Sequence, residues 1–293
     1  MATLIKNIEQ FLRQNTLLTK LIVINIAVFL LFRIIGIVDL LFGLNTGFIQ
    51  YFEFPSSIRT FLHQPWTILT YMFSHYSILH ILFNMLWLYW FGKIFLHFFN
   101  PKQLGGLYIL GGLAGALLFA LSYNIFPYFR NMADASYLIG ASASVMAIVF
   151  GAAFYKKDYT IGLLFLGNIK IIYLALITLV IDILAIDSSN AGGHIAHIGG
   201  ALVGIAYSYY LKRGTDITAG LNAFIDKTVN LFKRKPVEMK ATQNKRFESD
   251  YEYNARKNEH NREIDEILDK IKKSGYNSLS KEEKKKLFDA SKK

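Results

Sequence analysis

The 293-residue sequence contains no cysteine. Disulfides, thiolate catalysis and cysteine-based metal sites are therefore excluded. Charge is also scarce: 18% of residues are Asp, Glu, Lys or Arg, against about 25% in an ordinary soluble domain. There is no cleavable leader pattern, because Met1–Thr19 alternates charged and apolar residues and no small-residue cleavage site follows a short apolar core. That stretch reads as a short amphipathic helix ahead of the first long apolar run. Internal repeats and low-complexity segments are absent, which argues against a transporter built from two related halves.

What is present is apolar. Hydrophobic residues make up 53% of the chain and aromatics 15%. Charge gathers at one end. From Lys212 onward lie 21 of the 32 Lys/Arg and 14 of the 21 Asp/Glu. The chain thus divides into an apolar body and a charged tail. The net charge of +11 does not call for nucleic acid, since basic residues beside membrane helices set orientation and meet anionic lipid.

A membrane span needs about 20 mostly apolar residues. Six segments qualify as candidates: Leu21–Phe42, Ser77–Phe99, the glycine-rich Leu104–Tyr123, the short Ser142–Tyr155, Ile171–Ile186 and Ile195–Leu211. The expected fold is an all-α membrane protein, a bundle of six transmembrane helices with a small helical soluble tail. The basic residues Lys6, Arg13, Lys20, Lys93, Lys102, Lys156, Lys157, Lys170, Lys212 and Arg213 fall in or beside every second connection, hence all on one side of the six spans. The positive-inside rule then places both termini in the cytoplasm. The expected divisions are an interfacial segment 1–19, a membrane domain 20–212, a charged linker 213–253 and a helical tail 254–293. In the tail, Ile264, Ile267, Leu268 and Ile271 recur at helical spacing, Gly275 is placed to end that helix, and Ser280 with Glu283 forms a capping box for a second. This basic segment is expected to meet anionic lipid.

Under this orientation three spans enter from the outer side carrying polar groups at similar depth. The second carries His80 and Asn84, the fourth starts at Ser142, and the sixth carries His197 in its first turn. The fourth span covers only ~21 Å of a ~30 Å hydrocarbon core at ~1.5 Å per residue. Ser142 is then several ångströms deep, approached by irregular backbone at Gly140–Ala141. Such backbone is tolerated there only inside protein or beside a wet cavity. Ala143, Ala147 and Gly151 on one helix, and Gly200 and Gly204 on the other, are spaced for close helix approach. Close approach is what brings a serine hydroxyl to an imidazole.

Residues 80–84 read His-Ile-Leu-Phe-Asn, 140–143 read Gly-Ala-Ser-Ala, and 196–204 read Ala-His-Ile-Gly-Gly-Ala-Leu-Val-Gly. In motif, order and spacing the chain resembles the rhomboid family of intramembrane serine proteases over about residues 20–211. The resemblance implies a nucleophile at Ser142, a general base at His197 with no third acid, and an oxyanion hole from His80, Asn84 and the Ser142 N–H. Gly140, Gly200 and Gly204 are the implied packing positions. It further implies single-span membrane proteins as substrates, cut near their outer end, and a place in the inner cell membrane. Departures from the family pattern are Ala143 after the serine, Met146 where many members have an aromatic, and Thr67 after Trp66. The tail is similar to the short C-terminal domain that follows some bacterial rhomboid cores. His194 is the competing histidine, and Asp182 lies deep in the fifth span without an assigned role. No carboxylate or cysteine stands at ligand spacing from the histidines, so neither metal nor cofactor is expected. The alternative reading is an inactive relative that binds membrane clients.

Overall fold

The computed structural model describes residues 16–163, 167–232 and 250–290. It falls into two compact units, Met1–Lys233 and Arg234–Lys293. The interfacial segment expected before the first span lies almost wholly outside the described residues.

The first unit opens with α1, Leu17–Phe42, capped by the Thr16 hydroxyl and ended by Gly43 in the left-handed conformation. A 3₁₀ turn at Phe48–Phe52 leads to a two-residue strand β1, Phe54–Pro55, and to the short helices α2, Ile58–His63, and α3, Thr67–Thr70. Next come α4, Ile78–Phe98, and α5, Pro101–Ile125. The start of α5 is fixed locally. Asn100 and Gln103 exchange side-chain bonds in a capping box, and Pro101 sits in the first turn, where its missing N–H costs nothing. One turn, α6 (Pro127–Arg130), and strand β2, Tyr137–Leu138, follow. Strand β2 pairs antiparallel with β1 and ties the two long connections together. The Asn124 side-chain amide adds a bond to the Ser56 carbonyl at 2.7 Å.

Helix α7, Ser142–Tyr155, is the axle of the unit. Every residue from Ala143 to Ala153 is buried. A hairpin of β3 (Thr160–Leu163) and β4 (Gly167–Lys170) leads into α8, Ile171–Leu184. Then come α9, Ala191–Leu211, and α10, Ala219–Phe232. Residues 219–232, expected within a charged linker, are therefore helical. Leu221, Phe224, Ile225 and Val229 recur there at helical spacing, a signal that the neighbouring basic residues obscure.

Among the described residues three helices are long and apolar enough to cross a membrane: α1, α4 and α5. Helices α7 and α8 are apolar but shorter, at 14 residues each. The outward faces are oily. Leu30, Ile34 and Leu41 on α1, Leu82 and Phe83 on α4, and Ile177, Val180 and Leu184 on α8 all stand exposed. Contiguous exposed apolar surface of this extent fits a bilayer rather than water.

Helices α5, α7 and α9 touch almost backbone to backbone. A Cβ built on Gly200 would lie 2.0 Å from the Ala143 carbonyl oxygen, and one on Gly204 would lie 2.4 Å from that of Ala147. On α5, Gly111 and Gly115 would meet the Cβ atoms of Ala147 and Ala143 at 2.3 and 2.6 Å. In the surrounding core, the Tyr71 hydroxyl donates to the Gly112 carbonyl at 2.6 Å and the Tyr108 hydroxyl to that of Met72 at 2.8 Å.

The second unit holds a helical hairpin, α11 (Asp250–Ser274) and α12 (Lys281–Ala290). Gly275 ends α11 with φ 78°. Ser280 and Glu283 make the expected capping box, at 3.2 and 2.7 Å. Ion pairs Lys270–Glu283 and Lys286–Glu263 cross between the helices, and Ile267 and Leu279 are buried.

Candidate active site

Ser142 is the first residue of α7. The chain reaches it through Gly140, whose φ of +122° an L side chain rarely adopts. The Gly140 N–H donates to the Tyr71 carbonyl at 2.9 Å. A Cβ on Gly140 would fall 2.8 Å from His80 Nε2 and 3.8 Å from Ser142 Oγ. Glycine is thus required twice here, for backbone conformation and for room between the serine and the His80 ring. The bend leaves the first N–H groups of α7 without intrahelical partners, a ready donor set for developing negative charge.

His80 lies in the first turn of α4, whose N-cap Ser77 accepts the His80 N–H at 3.2 Å. One turn on, the Asn84 Nδ2 donates to the His80 carbonyl at 2.9 Å. That amide carries two hydrogens, so one stays available. His75, in the loop before α4, is buried and packs edge-on against His80 with ring centroids 5.0 Å apart. Burial, reinforced by neighbouring His80, pushes its pKa down to about 3, so the ring is neutral. Its Nε2 lies 3.5 Å from the Ala141 N–H, at the entrance to α7. His75 therefore holds backbone.

Helix α9 begins at Ala191, four residues earlier than the apolar pattern indicates, because Gly192 and Gly193 hide its start. His197 is consequently about two turns in, not in the first turn. The structure brings Ser142, His197, His80 and Asn84 to the wall of one cavity of about 840 Å³, together with Met146 and Asp182. Met146 stands one turn past the serine. Gly200 and Gly204 lie below, where α9 crosses α7. Among the described residues no hydrogen bond joins Ser142 Oγ to His197. Catalytic bonds are often open in a substrate-free site and tighten in the complex.

The expectation that no acid accompanies the pair does not hold. Asp182 of α8 is 4% exposed, and its Oδ1 lies 2.8 Å from His197 Nδ1. The same oxygen lies 2.8 Å from His194 Nδ1. The two imidazoles stand nearly perpendicular, at 81° with centroids 5.9 Å apart. Among the described residues Asp182 Oδ2 has no hydrogen-bond partner. Ligand spacing along the chain could not reveal this cluster. Asp182 is separated from His197 by 15 positions, and only the reversal between α8 and α9 brings them together. The available signal was an ionisable residue inside an apolar run, which is a functional suspect by default.

A family model for the Rhomboid domain matches residues 62–214. Residues 248–293 match a family of unknown function, DUF6576. The chain is similar to RHOMBOID-like protein 12, mitochondrial, of Arabidopsis thaliana, at 28% identity over 70% of this chain and 61% of that protein. It is similar to the human presenilin-associated rhomboid-like protein, mitochondrial, at 27% identity over 66% of this chain and 47% of that protein. A third relative, Rhomboid-like protein 16, chloroplastic, of Arabidopsis thaliana, is 30% identical over 38% of this chain and 32% of its own length. The chain thus spans about three fifths of the first relative and about half of the human one.

Proposed function

This chain belongs to the rhomboid family, and on that premise we propose that it is an intramembrane serine endopeptidase acting on single-span membrane proteins. The convergence of Ser142, His197, His80 and Asn84 on one cavity carries the reading. Ser142 Oγ attacks the substrate carbonyl while His197 Nε2 takes its proton, because a hydroxyl is a poor nucleophile until a base does so. Asp182 accepts from His197 Nδ1, which fixes the tautomer that leaves Nε2 free and steadies the imidazolium that forms. The oxyanion develops against the His80 ring N–H, the second Asn84 N–H and the free N–H of Ser142. In a low-dielectric site one such donor is worth about 10²–10³ in rate. His197 then returns its proton to the leaving amine, and water repeats the sequence on the acyl-enzyme. A substrate helix hides its carbonyls in its own hydrogen bonds, so it must unwind near its outer end before Ser142 reaches one.

In this reading the apolar helices form a six-span bundle, with α9 the sixth span, in the inner cell membrane with both termini in the cytoplasm. The oily outer faces of α1, α4 and α8 meet the bilayer. The hairpin of α11 and α12 is a tail domain after the membrane body. No cofactor or nucleic acid takes part.

The test is cleavage of a single-span test substrate in vesicles by the full chain. Cleavage lost in Ser142→Ala and in His197→Ala supports the reading. Equal cleavage by wild type and Ser142→Ala rules it out. The open Ser142–His197 geometry favours one second reading, an inactive relative that retains membrane clients. Substrate captured equally by wild type and Ser142→Ala, with no cleavage by either, supports that reading instead.

A further inference from the structure

Asp182, His194 and His197 offer one carboxylate oxygen and two imidazole nitrogens, all within 4.8 Å of one another. We propose that they form a site for a zinc-type divalent transition metal, and that its occupation shuts off the Ser142–His197 pair. The second half rests on the protease reading above; the first does not.

Orienting one imidazole takes one N–H···O bond, and the Asp182–His197 contact supplies it. Two features of the cluster go beyond that need. The first is His194, one turn before His197 on the same face of α9, whose Nδ1 turns to the same carboxylate oxygen at 2.8 Å. The second is Asp182 Oδ2, buried and without a donor among the described residues. A bare carboxylate oxygen in the interior carries a desolvation cost that a hydrogen bond would ordinarily offset. A cation in the cluster offsets that cost by balancing the carboxylate charge.

The dimensions fit. Zinc takes nitrogen and oxygen donors at about 2.0–2.2 Å in a tetrahedron, which spaces them roughly 3.3 Å apart. The two N···O separations are now 2.8 Å, so insertion asks each pair to open by roughly half an ångström. Two imidazoles and one carboxylate suit zinc and its transition-metal neighbours rather than magnesium or calcium, which prefer oxygen sets. Asp182 and His197 line the cavity, so water can reach the cluster to complete the coordination. Three protein ligands and an open position are enough for tight, exchangeable binding.

The consequence for His197 follows from its two nitrogens. Metal on Nδ1 moves the proton of the neutral ring to Nε2. Nε2 then has no lone pair for the Ser142 hydroxyl. Asp182 is drawn to the metal at the same time and no longer holds the productive tautomer. The bound metal therefore competes with catalysis.

The experiment uses the full chain with a purification tag that contains no histidine, stripped of metal. Zn²⁺ is titrated into Ser142→Ala protein against a chromophoric chelator, and Co²⁺ is used as the spectroscopic substitute. One equivalent of Zn²⁺ bound, with visible Co²⁺ bands of a tetrahedral nitrogen/oxygen site, is expected. His194→Gln and Asp182→Asn should each weaken binding at least ~100-fold, since a lost ligand exceeds the 10–100-fold cost of a lost outer-shell partner. Each variant's thermal unfolding with and without Zn²⁺ separates loss of the site from loss of fold: a folded variant without the site gains no Zn²⁺-dependent rise in Tm. No stoichiometric binding by Ser142→Ala, or unchanged affinity in both ligand variants, overturns the site. In wild type, Zn²⁺ should abolish substrate cleavage reversibly with EDTA while Mg²⁺ does not. Stoichiometric Zn²⁺ at this cluster with undiminished cleavage overturns the inhibitory half. Metal binding intact in a protein that cleaves nothing refutes the protease reading and leaves the site standing.

Discussion

Replacing Gly200 with alanine puts a methyl group 2.0 Å from the Ala143 carbonyl oxygen. Ordinary contact begins at 3.4 Å, so α9 must withdraw from α7 by about 1.4 Å, since the obstacle is backbone and cannot rotate away. His197 rides on α9 one turn before Gly200, and Ser142 rides on α7 next to Ala143. The same withdrawal therefore separates base from nucleophile. Misplacement on the order of 1 Å costs about 10²-fold in rate, and overpacking of this kind costs about 1–3 kcal/mol of stability. The assay is kcat/KM for a single-span substrate in vesicles, with Tm measured on the same preparation. Gly36→Ala is the control. It lies within α1 with nothing within 4 Å of its Cβ, so alanine there should leave activity alone and stabilise the helix by about 0.5–1 kcal/mol. If Gly200→Ala keeps wild-type kcat/KM and Tm, close approach of α7 and α9 is not what positions the pair.

Three further outcomes follow. Asp182→Asn should lower kcat by about 10²–10⁴-fold with little change in KM, because it disturbs the His197 tautomer rather than substrate contact; a raised KM with unchanged kcat would instead place Asp182 in substrate binding. Asn84→Ala should lower kcat by about 10²–10³-fold, and unaltered turnover would remove Asn84 from the oxyanion hole. Glu53, buried in the loop after α1, has its carboxyl pKa raised above 4.5 by burial, only partly relieved by the Tyr76 hydroxyl. Its contribution to stability is full below pH ~4.5 and is lost as pH rises through the raised folded value. The Tm of Glu53→Gln relative to wild type should accordingly climb as pH rises above about 4.5, and a difference independent of pH would contradict this.

Much of the helical plan was legible from apolar runs and caps. Helix α7 occupies the expected Ser142–Tyr155, because Gly140 before it and Lys156 after it mark both ends. The tail hairpin was equally plain, since Gly275 and the Ser280–Glu283 pair are local signals that need no partner. Features that depend on distant packing were not legible. Ala191–His194 reads as loop, since two glycines are poor helix formers alone; in the fold α9 packs on α5 there, and a Cβ on Gly192 would meet the Phe119 ring at 2.6 Å. Helix α10 was obscured by surrounding charge. For the site, the motifs named Ser142, His197, His80 and Asn84. Asp182 and His194 entered only when α8 folded back on α9, which is why a lone pair was expected and a buried acid was found.

The most direct measurement of the central claim is covalent labelling of the purified full chain by a fluorophosphonate, read by mass spectrometry of the modified peptide. A nucleophile activated by His197 should label at Ser142 in wild type. Labelling should vanish in Ser142→Ala and fall sharply in His197→Ala. An unlabelled wild-type protein, or label on Ser144 in place of Ser142, would contradict the account.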